Sequence, residues 1–88
     1  MRKSTHTAEY RVLRQMLAQL RQEAGLSQRA LAAELGVPHS WVAKVESGER
    51  RVDLVEFCWI CSACGKDVKA AVADLIGRFP RRRRIRAR

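Results

Sequence analysis

The sequence contains no apolar run long enough to cross a bilayer, and its first residues lack the apolar core of a secretory signal. From these two absences we expect a cytoplasmic protein with no membrane partner. Cysteine is scarce: the three cysteines, an odd number, all fall within residues 58–64, which argues against a disulfide framework. The alternation typical of β-strands is also missing, and no segment is repeated. We therefore expect the 88 residues to form one small all-α domain.

Groups that could carry out catalysis together are missing as well. The hydroxyl side chains have no base paired with them, and the two histidines, His6 and His39, lie far apart in the sequence. Nucleophilic and acid–base catalysis need such groups side by side. We expect a protein that is not an enzyme and that binds no cofactor.

Acidic residues are outnumbered by basic ones, 9 to 18, but the excess is uneven along the chain. Residues 81–88 hold six arginines and no acid, which leaves twelve basic and nine acidic residues, a net charge of +3, in the first eighty. We expect residues 1–6 to be flexible and residues 80–88 to be a disordered tail. The tail would add salt-sensitive DNA affinity without sequence preference. Affinity for RNA and a solubilising role are the alternatives.

Helical periodicity and capping residues predict five helices, over about residues 7–24, 28–35, 38–46, 53–64 and 67–76. Thr5 or Thr7 is expected to cap the first of them. Gly77 is expected to end the last. The architecture predicted is an all-α five-helix bundle.

The second and third predicted helices are joined by a tight turn. Ser27 can cap the second helix, and Leu31 and Leu35 follow at helical spacing on one buried stripe. Gly36 stands where the chain must turn, because glycine adopts the left-handed conformation at no steric cost. In the third helix Val42 is expected to face inward.

The third helix has a polar face opposite its apolar one. At about 100° per residue, the side chains turned away from Val42 and Val45 form an outer stripe. The stripe consists of Ser40, Lys44 and Ser47, with His39 at its leading edge. A helix pair whose second member has such a face is the helix-turn-helix, which lays that member in the major groove of DNA.

Three stretches carry a resemblance to a known family: LSQRALAAELGV, VAKVESGERR and the region around LVEFCWICSACG. In this order they resemble the Cro/repressor-type, or Xre-like, helix-turn-helix family of bacterial and phage regulators. The resemblance covers about residues 7–79, expected to be the DNA-binding domain, and implies the lambda-repressor-like fold. It implies a transcription regulator on double-stranded DNA, most of all a repressor that binds a twofold-symmetric operator as a homodimer. The alternative is an antitoxin or adaptor that mainly binds a protein partner, such as a toxin, through the same fold.

The resemblance also implies roles for single residues. It matches Gln28 to a phosphate contact, and Arg21 and Glu46 to a partly buried salt bridge. The chain departs from the family at Ala30, where a Glu often completes a capping box, and at Trp41, where a smaller polar residue or a tyrosine is usual.

Contacts with DNA are expected from the outer face of the third helix and from the loop after it. The base-contacting residues predicted are His39, Ser40 and Lys44, and the phosphate-contacting residues are Gln28, Trp41, Ser47, Arg50 and Arg51. Lys44 suits guanine O6 or N7, with a phosphate contact alone as the alternative. Trp41 would flank the groove or only cover the motif.

The predicted fourth helix holds two further features. Its C-x-x-C-x-x-C pattern, Cys58 to Cys64, is expected to pack in the core on one face with Leu54 and Phe57, because a helix cannot converge all three thiols on one metal ion. A redox role is the weaker alternative. On the opposite side, Val55 and Trp59 are expected to form a dimer contact together with the fifth helix. The alternatives are that the fifth helix covers them or that they are simply partly exposed.

Overall fold

The computed structural model describes residues 6–80, and they form five helices in the order the periodicity predicts. The helices are α1 (Ala8–Glu23), α2 (Gln28–Leu35), α3 (His39–Ser47), α4 (Leu54–Ala63) and α5 (Val68–Arg78). The predicted all-α fold is confirmed. The predicted flexible segment 1–6 and the predicted tail 80–88 fall outside the described residues, apart from His6 and Pro80.

Side-chain oxygens cap four of these helices. Thr7, Ser27 and Asp67 each accept a hydrogen bond from the backbone N–H three residues later, at the starts of α1, α2 and α5. Asp53 does the same for α4 and forms a full capping box with Glu56. The start of α3 is different, since Pro38 stands at its N-cap position and supplies no side-chain hydrogen bond.

The two helices of the helix-turn-helix, α2 and α3, each end at a glycine in the left-handed region. Gly36 ends α2 at φ 70°, and Gly48 ends α3 at φ 85°. Left-handed backbone is free of steric penalty only for glycine, so the chain can leave each helix at a sharp angle.

One core joins the five helices. Its buried apolar residues are Met16, Leu17, Leu20, Leu31, Ala32, Val42, Val45, Phe57, Ile60, Cys61 and Ala71. Because α3 contributes Val42 and Val45 to this core, its opposite side must face solvent.

Two expectations about α4 and α5 are wrong. Leu54 is the first residue of α4 and remains 70% exposed, so the buried stripe of that helix begins only at Phe57. Gly77 does not end α5, which continues to Arg78. Arg78 pairs with Asp74 one turn earlier, across the glycine, at 3.0 Å, and the helix stops only before Pro80.

Cys58 and Cys61 lie in α4, and Cys64 is the C-cap residue of that helix. Cys61 is fully buried in the core, and Cys58 and Cys64 are half-buried free thiols. Burial raises the pKa of Cys61 to about 11, with smaller contributions from Cys58 and Cys64, and burial also raises the pKa of Cys64. Thiols held in the neutral form are poor nucleophiles, which favours packing over redox chemistry. Within residues 6–80, no cluster of three metal-ligating side chains is present, and no helix is long and apolar enough to cross a bilayer.

Candidate nucleic-acid interface

The outer face of α3 presents exposed polar side chains. His39, Ser40 and Lys44 are exposed, whereas Val42 and Val45 on the other side of the same helix are 2% and 1% exposed. The structure therefore places the three predicted base-contacting residues together on one open helix surface. An imidazole, a hydroxyl and an ammonium group supply donors and acceptors for base edges in a major groove.

The C-terminal end of α3 is held by a partly buried ion pair. Arg21 of α1 donates to both carboxylate oxygens of Glu46, at 2.7 and 3.1 Å, and the two side chains are only 12% and 11% exposed. The hydrogen bond from Arg21 to Glu46 is the main cause of the raised pKa of Arg21. A further donor, Arg21 Nη1, bonds the carbonyl of Leu26 at 2.8 Å. One arginine thus ties α1 both to the turn before α2 and to the end of α3.

Gln28 joins this cluster. Its amide nitrogen donates to Glu46 Oε1 at 2.9 Å, so Glu46 accepts from α1 and α2 at once. The amide of Gln28 keeps a second N–H and its carbonyl oxygen, and the phosphate contact implied by the family resemblance stays a prediction.

A second arginine of α1, which the sequence reasoning missed, lies against the same end of α3. Arg14 Nη1 donates to the carbonyl of Glu46 at 3.2 Å, and its Nε is buried without a hydrogen-bond partner. A Cβ at Gly48 would lie 3.1 Å from the Cδ and Nε of Arg14. The arginine therefore fills space left by a missing side chain, and its charge faces the negative end of the α3 dipole.

The loop after α3 is folded onto that helix by Arg50. Its backbone N–H donates to the carbonyl of Lys44 at 3.1 Å, and its guanidinium carbon lies 4.7 Å from the ring centroid of Trp41. The guanidinium also donates to the two carboxylate oxygens of Glu56, at 3.2 and 3.1 Å, and to the carbonyl of Arg51. The hydrogen bonds from Arg50 are the largest cause of the lowered pKa of Glu56. The charge predicted to meet a phosphate is paired within the protein.

The remaining predicted phosphate contacts lie around the same loop. Ser47 and Arg51 are exposed, and the hydroxyl of Ser47 donates to the carbonyl of Lys44 at 3.1 Å. Tyr10 of α1 fixes the loop, because its hydroxyl accepts the N–H of Val52 at 2.8 Å.

Comparison with known proteins agrees with this geometry. Residues 12–84 match the family described as "Helix-turn-helix domain". The solved structure of an "XRE-family like protein from Pseudomonas syringae pv. tomato str. DC3000" is 40% identical and superposes with a TM-score of 0.78, covering 88% of this chain and 94% of that one. The chain belongs to the Xre-like helix-turn-helix family. No curated protein matches it. At the level of the family, the chain is a DNA-binding transcription regulator.

Beside its helix-turn-helix, the Xre-like domain has an exposed apolar surface on α4. Val55 and Trp59 are 58% and 50% exposed, so α5 does not cover them. Trp59 borders an open groove of about 450 Å³, whose other lining residues are Glu34, Leu35, Ser62 and Ala63. An exposed tryptophan beside a groove is typical of protein–protein contacts.

Sequence reasoning named the Arg21–Glu46 pair but missed two other side chains that hold this Xre-like interface, Arg14 and Glu56. Arg14 lies seven residues before Arg21, two turns away on the same face of α1, and this spacing was the only available signal for its position. Nothing in the sequence marked Glu56 as the partner of Arg50.

Proposed function

We propose that this chain is a sequence-specific repressor that binds a twofold-symmetric operator as a dimer. The observation that carries the proposal is the outer face of α3, where four polar side chains are exposed on a helix whose inner face is buried. A helix whose inner face is packed in the core presents its outer side chains in a fixed position. Discrimination between bases requires such a fixed position.

Within this proposal the side chains divide into two groups. His39, Ser40 and Lys44 read base edges, and Lys44 donates to guanine O6 or N7. Gln28, Trp41, Ser47 and Arg51 contact the sugar–phosphate backbone and set the position of the domain. The arginine-rich end, residues 81–88, adds affinity that does not depend on sequence and weakens with salt.

Dimerisation is assigned to the apolar surface of α4. A second copy that covered Val55 and Trp59 would remove from water two large side chains that the single domain leaves exposed. Two domains related by a twofold axis would read half-sites about one helical turn, roughly 34 Å, apart. Occupancy of a promoter by such a dimer is enough to block transcription.

The test is a selection from random duplex DNA with the full chain, at about 0.15 M salt, where surface charges are screened beyond about 8 Å. We expect enrichment of a twofold-symmetric site. Lys44→Ala should lose about 1–3 kcal/mol of discrimination at the base pair that Lys44 reads. Lys69→Ala, which removes an exposed lysine on α5, is the matched control and should keep the selected site. The absence of any enriched sequence, or an unchanged site for Lys44→Ala, would contradict the proposal.

The exposed Trp59 also favours a second candidate, an antitoxin or adaptor that uses this surface for a different protein. Sedimentation of the wild type and of Trp59→Ser separates the two. A wild-type dimer that becomes a monomer in Trp59→Ser supports the repressor proposal. A wild type that stays monomeric at high concentration favours a partner other than a second copy.

A further inference from the structure

Both the backbone and the side chain of Arg50 bind groups of its own chain, although 39% of the side chain is exposed. Its backbone N–H closes the end of α3 on the carbonyl of Lys44, and its side chain bridges Trp41 and Glu56. Glu56 is equally committed, because its Oε1 also accepts the N–H of Asp53 in the capping box of α4. The helix α3, the loop that follows it and the helix α4 are therefore all in contact with Arg50.

We propose that Glu56 holds Arg50 over the ring of Trp41, so that Arg50 is a positioning residue of the DNA-reading surface and not a phosphate contact. This inference rests on the proposed function and names a specificity determinant for it. Trp41 precedes Lys44 by three residues, which makes the two side chains neighbours on the surface of α3. A ring fixed by Arg50 limits the directions that the Lys44 side chain can take, and this restriction favours one base over another.

The charges around the loop support this assignment. Glu56 offsets part of the charge of Arg50 at hydrogen-bond distance, which weakens the attraction of Arg50 for a phosphate. If Arg50 moved to a phosphate, the carboxylate of Glu56 would lose two charge-assisted hydrogen bonds and remain as a negative charge beside the DNA. The planar guanidinium can stack on the indole and make a bidentate contact at the same time, which a lysine cannot do.

The first experiment compares Arg50→Met and Glu56→Gln with wild type on the selected site and on unrelated DNA, over a range of salt. A lost phosphate contact lowers the slope of log K against log salt by about 0.9. We expect Arg50→Met to leave this slope equal to that of the control and to reduce the ratio of specific to non-specific affinity about five- to tenfold. Glu56→Gln should reduce the ratio in the same direction.

The matched control is Arg78→Met. Arg78 has a side-chain exposure of 38%, against 39% for Arg50, and makes a bidentate pair with one carboxylate, but it lies on α5. It reports what the loss of any paired arginine does to the salt slope. An increase in affinity for all DNA in Glu56→Gln, with a steeper slope, would overturn the inference, because it would mean that a released Arg50 binds phosphate.

A second experiment needs no DNA and separates this inference from the proposed function. In a Trp59→Phe background, Trp41 is the only tryptophan left. We expect Arg50→Lys and Glu56→Gln to shift the Trp41 emission and increase its quenching by acrylamide, whereas Arg78→Met does neither. If the wild type selects no DNA sequence, the proposed function fails, and these spectra still show whether Glu56 holds Arg50. An unchanged Trp41 signal in both variants, with intact helical circular dichroism, overturns the inference.

Discussion

The two ends of the recognition helix α3 are built in opposite ways. At its C-terminal end, Glu46 receives Arg21 and Gln28, and Arg14 packs against Gly48. At its N-terminal end, Pro38 offers no side-chain cap, and His39 and Ser40 are exposed.

In the proposed function, this difference separates stability from recognition along a helix of nine residues. The C-terminal end, which we call the closed end, fixes the orientation of α3 through side chains of α1 and α2. At the N-terminal end, which we call the open end, the first backbone N–H groups have no acceptor within the helix. Such groups can donate hydrogen bonds to a phosphate or a base edge. A helix that binds DNA needs both a fixed orientation and free donors. A helix that moved would not discriminate between bases, and a helix capped at both ends would have fewer hydrogen-bond donors for the DNA.

The largest expected loss of stability comes from a substitution at the closed end. Glu46→Ala removes the acceptor of Arg21 and leaves a guanidinium that is 12% exposed without its counter-charge. We expect the free energy of unfolding to fall by about 3 kcal/mol, as for other buried pairs broken on one side. Urea unfolding followed by circular dichroism measures the change.

The control for this prediction is the exposed pair of α5. Asp74→Ala breaks the pair with Arg78, whose members are 43% and 38% exposed, and should cost no more than about 0.5 kcal/mol. Equal losses in Glu46→Ala and Asp74→Ala would mean that the closed end is no more strongly held than an ordinary surface contact.

A smaller effect is expected at Gly48. Alanine in left-handed backbone costs about 1–2 kcal/mol wherever it is placed. At Gly48 the new Cβ must also displace Arg14, whereas at Gly36, with a similar φ, it meets nothing within 4 Å. We expect Gly48→Ala to lower the unfolding free energy by about 1 kcal/mol more than Gly36→Ala, since the hydrogen bond from Arg14 is lost. In an Arg14→Ala background the two substitutions should cost the same, and a persisting difference would remove Arg14 from the explanation.

Most of the fold was predictable because it depends on local rules. The caps at Ser27 and Asp67 and the turn at Gly36 follow from side-chain hydrogen bonding and backbone sterics within a few residues. The exposed face of α3 follows from periodicity once Val42 and Val45 are assigned to the core. The ends of α4 and α5 were less predictable: Leu54 fits a core pattern but precedes the packed part of its helix, and the pair of Asp74 and Arg78 carries α5 past Gly77.

The contacts that hold the site were not predictable in the same way. Arg14 and Glu46 are 32 residues apart, and which of several arginines on α1 reaches α3 depends on how the helices cross. Arg50 and Glu56 are only six residues apart in the sequence, yet their pairing requires the loop to fold back over Trp41. The family resemblance supplied the partners Arg21 and Glu46, because the two residues match a pair that forms a salt bridge in the family. It gave no such guidance for Glu56.

The smallest expected effect on stability concerns the open end of α3. His39→Ala and Ser40→Ala remove exposed side chains that lie outside the buried core, so each should change the unfolding free energy by less than about 0.5 kcal/mol. Each should nevertheless weaken binding to the selected operator by about 1 kcal/mol and leave non-specific affinity unchanged. Isothermal titration on both DNAs, beside urea unfolding of the same samples, measures the two quantities together. A variant that loses stability and operator affinity in proportion would show that the open end also supports the fold, and the contrast between the two ends of α3 would then be one of degree.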